Sequence, residues 1–431
     1  MSFMKKSAAA LVLTGVAAAT STALAAGFQL TEQSSLGAGR AYAGAGIVGD
    51  DLSAVHYNPA GMTLLEGTRF QAGGVWIGLN ADYSSDISGE SENGRLKGQM
   101  IPAGYVTHQV NDQVWLGFAM TVPFGMGTEY SKDWEGADRG TNAKIYTFDM
   151  NPSIAWKVSD FLSIGGGVSV QYAKAELGMG LPHPLLNTIG HGKVEADSWD
   201  WGFNLGVMIS PTDKLRFGLA YRSSIEHNAE GDTKLSGMST GSDLDTLLEG
   251  QNFGMSTTIE TPDTIMLTGT WEATDQLRLS GLVRWANWSK FKELKIKNDL
   301  PVMIESALNQ AGQAALFKEL NIENDWQDTW LFSIGADYRI NDAFTVRGGV
   351  AYETSPIDRQ ETRMAVIPDT DRVWLSLGAS WYPTQDLQFD IGGTYLMGVG
   401  DKDLYNSKGQ KIGKYDSLDA YLLGVQMQYR F

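Results

Sequence analysis

No cysteine occurs among the 431 residues, which removes disulfide scaffolds and thiolate metal centres. Long hydrophobic runs are missing too. The stretch from Ala8 to Ala19 is too short to cross a bilayer as a helix, and nothing beyond it is longer. Cations are in deficit: 33 Lys and Arg stand against 50 Asp and Glu, a formal charge of −17. Phosphate recognition needs clustered Lys and Arg, so nucleic acid is excluded as a partner. Histidine is limited to His56, His108, His183, His191 and His227. His183 and His191 share a loop with Glu195 and Asp197, which is a weak metal pattern, and no nucleophile stands beside them. The reading is therefore of a non-enzyme without cofactor or bound metal.

What is present points to export and to a membrane. Lys5 and Lys6, the apolar stretch after them and Ala23-Leu24-Ala25 form a secretory signal over residues 1–25. Its removal deletes two lysines and no acid, taking −17 to −19. At the other end, Tyr421, Leu423, Val425, Met427, Tyr429 and Phe431 alternate with Leu422, Gly424, Gln426, Gln428 and Arg430. Such a period of two sets an apolar face against a mixed one. A chain that enters lipid without helical spans must close its strands into a barrel, because an open edge has no hydrogen-bond partner there.

Tight polar turns recur at Val110–Gln113, Val158–Asp160, Ser210–Lys214, Glu272–Gln276, Ile340–Asp342 and Tyr382–Asp386. Longer polar connections fall at 81–97, 126–142, 178–195, 229–256, 291–326, 354–370 and 399–416. Short turns on one side and long loops on the other are the pattern of an outer-membrane barrel. Six turns and seven loops predict a 14-stranded antiparallel transmembrane β-barrel, all-β, over 68–431. Its strands are expected to begin near 68, 97, 113, 143, 161, 195, 214, 255, 276, 326, 343, 371, 387 and 418. Arg216, Arg222, Arg278, Arg284 and Arg347 face inward on this reading, and pairing with lumenal acids is their expected role. Residues 26–67 do not alternate. Rich in Gly, Ala and Ser, they suit an N-terminal hatch, a plug folded into the lumen.

In the expected third strand, Thr121-Val-Pro-Phe-Gly125 breaks the alternation. Pro123 donates no ladder hydrogen bond and Gly125 tolerates a bend. The outer loops carry apolar patches at Leu181–Leu186, in a short helix over Asp243–Leu248, and in a longer amphipathic helix from Pro301 to Leu320. Three patches on one side favour a hydrophobic capture surface.

Ala26-Gly-Phe-Gln-Leu30, Gly39-Arg-Ala-Tyr-Ala-Gly44, Asp50-Asp51 and Asn58-Pro-Ala60 resemble the start of the outer-membrane long-chain fatty acid transporter (FadL) family, which includes a toluene and hydrocarbon branch. The resemblance continues through Trp288-Ser289-Lys-Phe291, Leu294-Lys295, Ser355-Pro356 and Ile367-Pro-Asp-Thr-Asp-Arg-Val-Trp-Leu-Ser376. It implies passive uptake of hydrophobic molecules in the Gram-negative outer membrane, caught by apolar loops and released sideways through a gap where the third strand kinks. It places the opening at Pro123, Phe124 and Gly125, with Asn58, Pro59 and Ala60 of the hatch beside it. It places substrate binding at Phe291, Leu294 and Lys295, the lysine pairing with a carboxylate from a dry pocket. A second cation expected by resemblance falls near Met179, which leaves a neutral hydrocarbon open as substrate. The partners implied are long-chain fatty acids or other hydrophobic small molecules, outer-membrane lipid and lipopolysaccharide, with a monomer as the expected state. A general porin, an adhesin or phage receptor and an outer-membrane hydrolase are the other classes considered. A porin needs no Gly-rich hatch, and the hydrolase lacks a nucleophile.

Overall fold

The computed structural model describes residues 27–431 except 90, 94–97, 133, 183–188, 239–242 and 407. The signal reading over 1–25 falls outside the described residues. Fourteen strands follow one another around a closed antiparallel barrel. The first four are β1 (Thr68–Ser85), β2 (Gln99–Gln109), β3 (Val114–Thr121 continued by Gly125–Glu129) and β4 (Asn142–Lys157). Next come β5 (Leu162–Pro182), β6 (Ile189–Thr212), β7 (Leu215–Arg222 and Glu226–Ser236) and β8 (Asn252–Glu260 and Thr264–Glu272). The circuit continues with β9 (Leu277–Ala286 and Glu293–Asn298), β10 (Glu319–Glu323 and Thr329–Asn341) and β11 (Phe344–Glu353). It ends with β12 (Arg372–Trp381), β13 (Leu387–Gly398) and β14 (Lys411–Arg430). Closure is direct: β14 pairs with β1 from Arg430↔Arg69 to Gly413↔Ser85, so no free edge is left to lipid.

The tight turns form for local reasons. The Asn111 side-chain oxygen accepts from the amides of Gln113 and Val114, and Asn341 does the same for Ala343 and Phe344. Such side-chain mimicry of a turn fixes the register of the hairpin. The outer face is apolar as the alternation requires. In β14, Tyr421, Leu423 and Val425 are 56%, 52% and 53% exposed while Leu422, Gln426 and Gln428 are buried. Exposed Trp156, Phe161, Trp271, Phe344 and Trp381 stand near the tight turns, and Trp76, Trp201, Trp330 and Tyr421 stand toward the loops. These are the two aromatic girdles of a membrane-embedded wall.

Strand starts agree with expectation within three residues at eleven of the fourteen positions. β6, β10 and β14 begin earlier than expected, at Ile189, Glu319 and Lys411, and β7 runs on to Ser236 through a span expected to be loop. There the outward residues are polar (Glu226, Asn228, Glu230, Asp232 and Lys234). The ladder continues into water, where no apolar face marks it. In the outer loops, α3 (Asp243–Leu248) has the expected bounds. The single helix expected over 301–320 is instead two, α4 (Val302–Gln310) and α5 (Ala314–Lys318). Gly312 is left-handed, φ +71°, and its amide bonds the Asn309 carbonyl, a helix-ending arrangement.

Residues 27–67 fold inside the barrel as two single turns of helix, α1 (Ser35–Ala38) and α2 (Ala54–Tyr57), followed by a 3₁₀ segment, Pro59–Leu64. Wall glycines let its backbone touch the strands. A Cβ at Gly392 would lie 2.1 Å from the Ser35 carbonyl oxygen, and one at Gly349 would lie 2.4 Å from the Arg40 carbonyl carbon. Charge fixes the same contact. Arg40 meets Asp50 at 2.8 Å and Asp337 at 3.5 Å, while Arg278 reaches Asp50 at 3.0 Å and Arg347 reaches Asp337 at 2.9 Å. Ala41 and Tyr42 are held in left-handed backbone, φ 52° and 62°, a strain on the order of 1–2 kcal/mol per residue that the surrounding packing must offset.

Candidate functional site

The break in β3 organises the site. β2 and β3 pair from Gln109↔Trp115 to Gly104↔Met120 and no further among the described residues. β2 residues Gln99 to Ala103 keep β1 as their partner on the other side. Beyond Thr121 the strand parts from β2, and its second half pairs with β4 from Gly125↔Tyr146 to Glu129↔Asn142. Pro123 lies at the centre of the break, where a residue without an N–H costs no ladder bond.

The hatch takes the place that β2 leaves. Leu30 N donates to Pro123 O at 2.8 Å and Gly125 N to Phe28 O at 2.9 Å, so Gln29 and Phe124 face each other across a short antiparallel bridge. The Gln33 side chain satisfies both backbone groups of Val122, donating to its carbonyl at 2.7 Å and accepting from its amide at 3.1 Å. A bent wall strand in lipid would otherwise carry orphaned polar groups. These partners correct the expectation for Asn58. It donates to Val207 O of β6 at 3.1 Å and accepts from Ala60 N at 3.1 Å. Asn58 packs on Gly206, and Pro59 on Gly165 of β5, away from the kink. Nothing in a sequence distinguishes Gln33 from its polar neighbours Thr31 to Ser35.

Above the break sits an aromatic cluster. Phe28 meets Trp288 edge-on with centroids 4.7 Å apart, Phe291 at 5.8 Å, Trp326 at 5.8 Å and Phe124 at 6.0 Å. Phe291 and Leu294 therefore face inward, Phe291 buried and Leu294 half-buried. Lys295 does not. It follows Leu294 by one residue, so the pleat turns it to the outer face, where it is 47% exposed and ion-paired with Glu293. The expected dry lysine pocket is absent for that reason. Trp326, unassigned in the sequence reading, completes the cluster from the interruption in β10.

Beneath the aromatics, a cavity of about 60 Å³ is lined by apolar Leu30, Phe124 and Met266 and by polar His56, Arg222 and Arg284. It has room for a few water molecules and not for an acyl chain, which must displace side chains to enter. Arg284 is committed to Glu353 at 2.8 Å. Among the apolar loop patches, Leu235, Met238, Leu248, Phe253, Ile304 and Leu308 bury one another. The patch at 181–186 lies largely outside the described residues. The outer apolar residues thus form a small core of their own, with Val302 and Met303 left 80% and 73% exposed.

Sequence comparison decides what this architecture is. The family described as "Outer membrane protein transport protein (OMPP1/FadL/TodX)" matches residues 16–431. The chain belongs to this family. A long-chain fatty acid transport protein of Escherichia coli O6:H1 is 29% identical over 451 residues, covering 96% of this chain and 97% of the relative. Outer membrane protein P1 of Haemophilus influenzae Rd is 30% identical over 486 residues, covering 99% of this chain and 100% of the relative. In fold, the chain is similar to a Pseudomonas aeruginosa FadL homologue (TM-score 0.83, 24% identity, covering 94% of this chain and 100% of that one). It is also similar to the Ralstonia pickettii toluene transporter TbuX (TM-score 0.69, 18% identity, covering 92% and 98%). The protein is an outer-membrane transport barrel of the FadL family.

One hatch residue of this FadL-family barrel gives a pH prediction. Glu32 is buried beside Glu353, Arg372 and Arg284, and burial first, then Glu353, pushes its carboxyl up to about 7. Since the docked form binds the proton more tightly, the stabilisation it lends is complete below the ordinary carboxylate range and is lost as pH rises through about 7. Amide exchange at residues 28–33, corrected for intrinsic rate, should speed up between pH values of about 5 and 8, and Glu32→Gln should remove that dependence.

Proposed function

We propose that the substrate is a long-chain fatty acid and that it leaves the lumen sideways, into the bilayer, through the break in β3. Transport of hydrophobic compounds across the outer membrane comes with family membership. The finer reading is carried by one observation: the hatch, and not β2, supplies the backbone partners of Val122, Pro123 and Gly125, while Thr147 of β4 holds Phe124 between them. Withdrawal of Phe28–Gln33 would unseal the wall at that level and at the same time empty the space beneath the aromatic cluster. Lateral delivery avoids returning the acyl chain to water, at roughly 0.8 kcal/mol for each methylene kept dry. No energy source is required, because the ligand moves from a dilute aqueous phase to lipid.

A neutral aromatic hydrocarbon is the second reading. The outward Lys295 favours it, and so does the aromatic cluster of Phe28, Trp288, Phe291 and Trp326 beside the break. Mass spectrometry of the ligand carried by the purified protein separates the two, with a fatty acid expected. For the exit route, Pro123→Val with Gly125→Val, which lets β3 continue straight, should cut oleate uptake to that of cells lacking the protein while the barrel stays folded. Normal uptake by that variant would contradict lateral release.

A further inference from the structure

We propose that Arg222 is the anchor for an anionic headgroup inside the lumen, which deepens the fatty-acid reading above and rests on it. Arg222 is the last residue of the inner half of β7, just before the interruption at 223–225. It lines the cavity, and its guanidinium reaches His56, which lines the same cavity. Its neighbours there are of both kinds, apolar Leu30, Met266 and Leu282 and polar His56, Gln171 and Asn204. An amphipathic lining of this kind suits a ligand with one charged end and one greasy end.

The guanidinium is unusual in what it bonds. Its hydrogen bonds go to neutral acceptors: the Ser169 hydroxyl at 2.8 Å, His56 Nδ1 at 3.1 Å and the His56 carbonyl at 3.0 Å. Asp149 lies 3.6 Å away, and its oxygens take bonds from Ser169 and Gln171 instead. The other arginine on the cavity, Arg284, already donates to a carboxylate, Glu353. Arg222 is thus the lining cation that gains most from an arriving carboxylate, which would replace a neutral contact by a charge-assisted one. The cavity, about 60 Å³, is the size of a headgroup and not of a tail, and Pro123 and Phe124 border the same space. An acid held at Arg222 therefore has its chain directed to the aromatic cluster or to the break in β3.

The headgroup must take over the side of the guanidinium that His56 now occupies. His56 is two residues before Asn58 at the end of α2, so occupation of the site pulls on the hatch segment that rests against β6.

The test is binding of oleate and of oleyl alcohol to the full-length mature protein in detergent. The variant combines Arg222→Gln with Asp149→Asn, which removes the cation without stranding its buried acid, and heat-modifiable gel mobility checks the barrel. Oleate affinity should fall by roughly ten- to a hundredfold, as loss of a charge-assisted contact implies, with oleyl alcohol changed by less than about twofold. Lys295→Ala, which alters an exposed cation, should leave both unchanged. Unaltered oleate binding in the double variant, equal loss of both probes, or an equal oleate loss in Lys295→Ala overturns the role of Arg222. A parent protein that binds neither probe overturns the fatty-acid reading as well.

Discussion

Joining Gln29→Cys to Phe124→Cys by a disulfide should stop uptake, and reduction should restore it. The two residues face each other in the bridge between hatch and β3, flanked by Leu30 N→Pro123 O and Gly125 N→Phe28 O. That pattern makes them a non-hydrogen-bonded antiparallel pair, whose Cα atoms stand about 4.5 Å apart, within disulfide range. The natural chain contributes no cysteine to mispair. A cross-link of this kind is worth roughly 2–4 kcal/mol, and at about 1.4 kcal/mol per decade it depresses the undocked state by roughly thirty- to seven-hundredfold. Uptake of labelled oleate should fall accordingly under oxidising conditions and recover with a reductant, in the same cells. Full transport by the oxidised protein, with the cross-link confirmed by mass spectrometry, would mean that residues 28–33 need not move.

The second large effect is the opposite one, a hatch that no longer seats. Arg40 is 2% exposed and bonds Asp50 and Asp337 in one network with Arg278 and Arg347. Arg40→Ala leaves buried Asp337 and half-buried Asp50 each short of a partner, a loss on the order of 3 kcal/mol. The wall ladder is untouched, because no strand residue changes. Planar-bilayer recordings should then show open ion channels where the parent is silent, with unchanged heat-modifiable mobility. Closed traces from the variant would mean that glycine-mediated packing alone retains the hatch.

The fold was legible because two periodic signals reinforce each other. Asn- and Asp-bearing turns such as Val110–Gln113 and Ile340–Asp342 mark one rim, and apolar alternation marks the strands between. Both signals end where the bilayer does. β7 beyond Glu226 and β6 before Glu195 have no greasy face, so pairing there was invisible and the loops looked longer than they are. The kink at Pro123 was legible from a residue that cannot donate. What satisfies it was not, since Gln33 acts across 89 positions of sequence with nothing local to announce it. Asn58 and Lys295 depart from expectation for related reasons. The first, expected by resemblance at the break, instead meets β6. The second stands one residue from the inward Leu294, and a single step along a pleat reverses the direction of a side chain.

The height of the wall has a consequence for where substrate is met. β6 runs for 24 residues, against the 10 or so that a tilted strand needs to cross a bilayer. The surplus lifts the rim, with its small greasy core of loop helices, clear of the lipid headgroups and into the surrounding medium, while the break in β3 stays down at membrane depth. On the proposed route, intake and outlet would be held at different altitudes by one continuous sheet, and an oily molecule would bypass the charged sugar layer of the outer leaflet without having to dissolve in it.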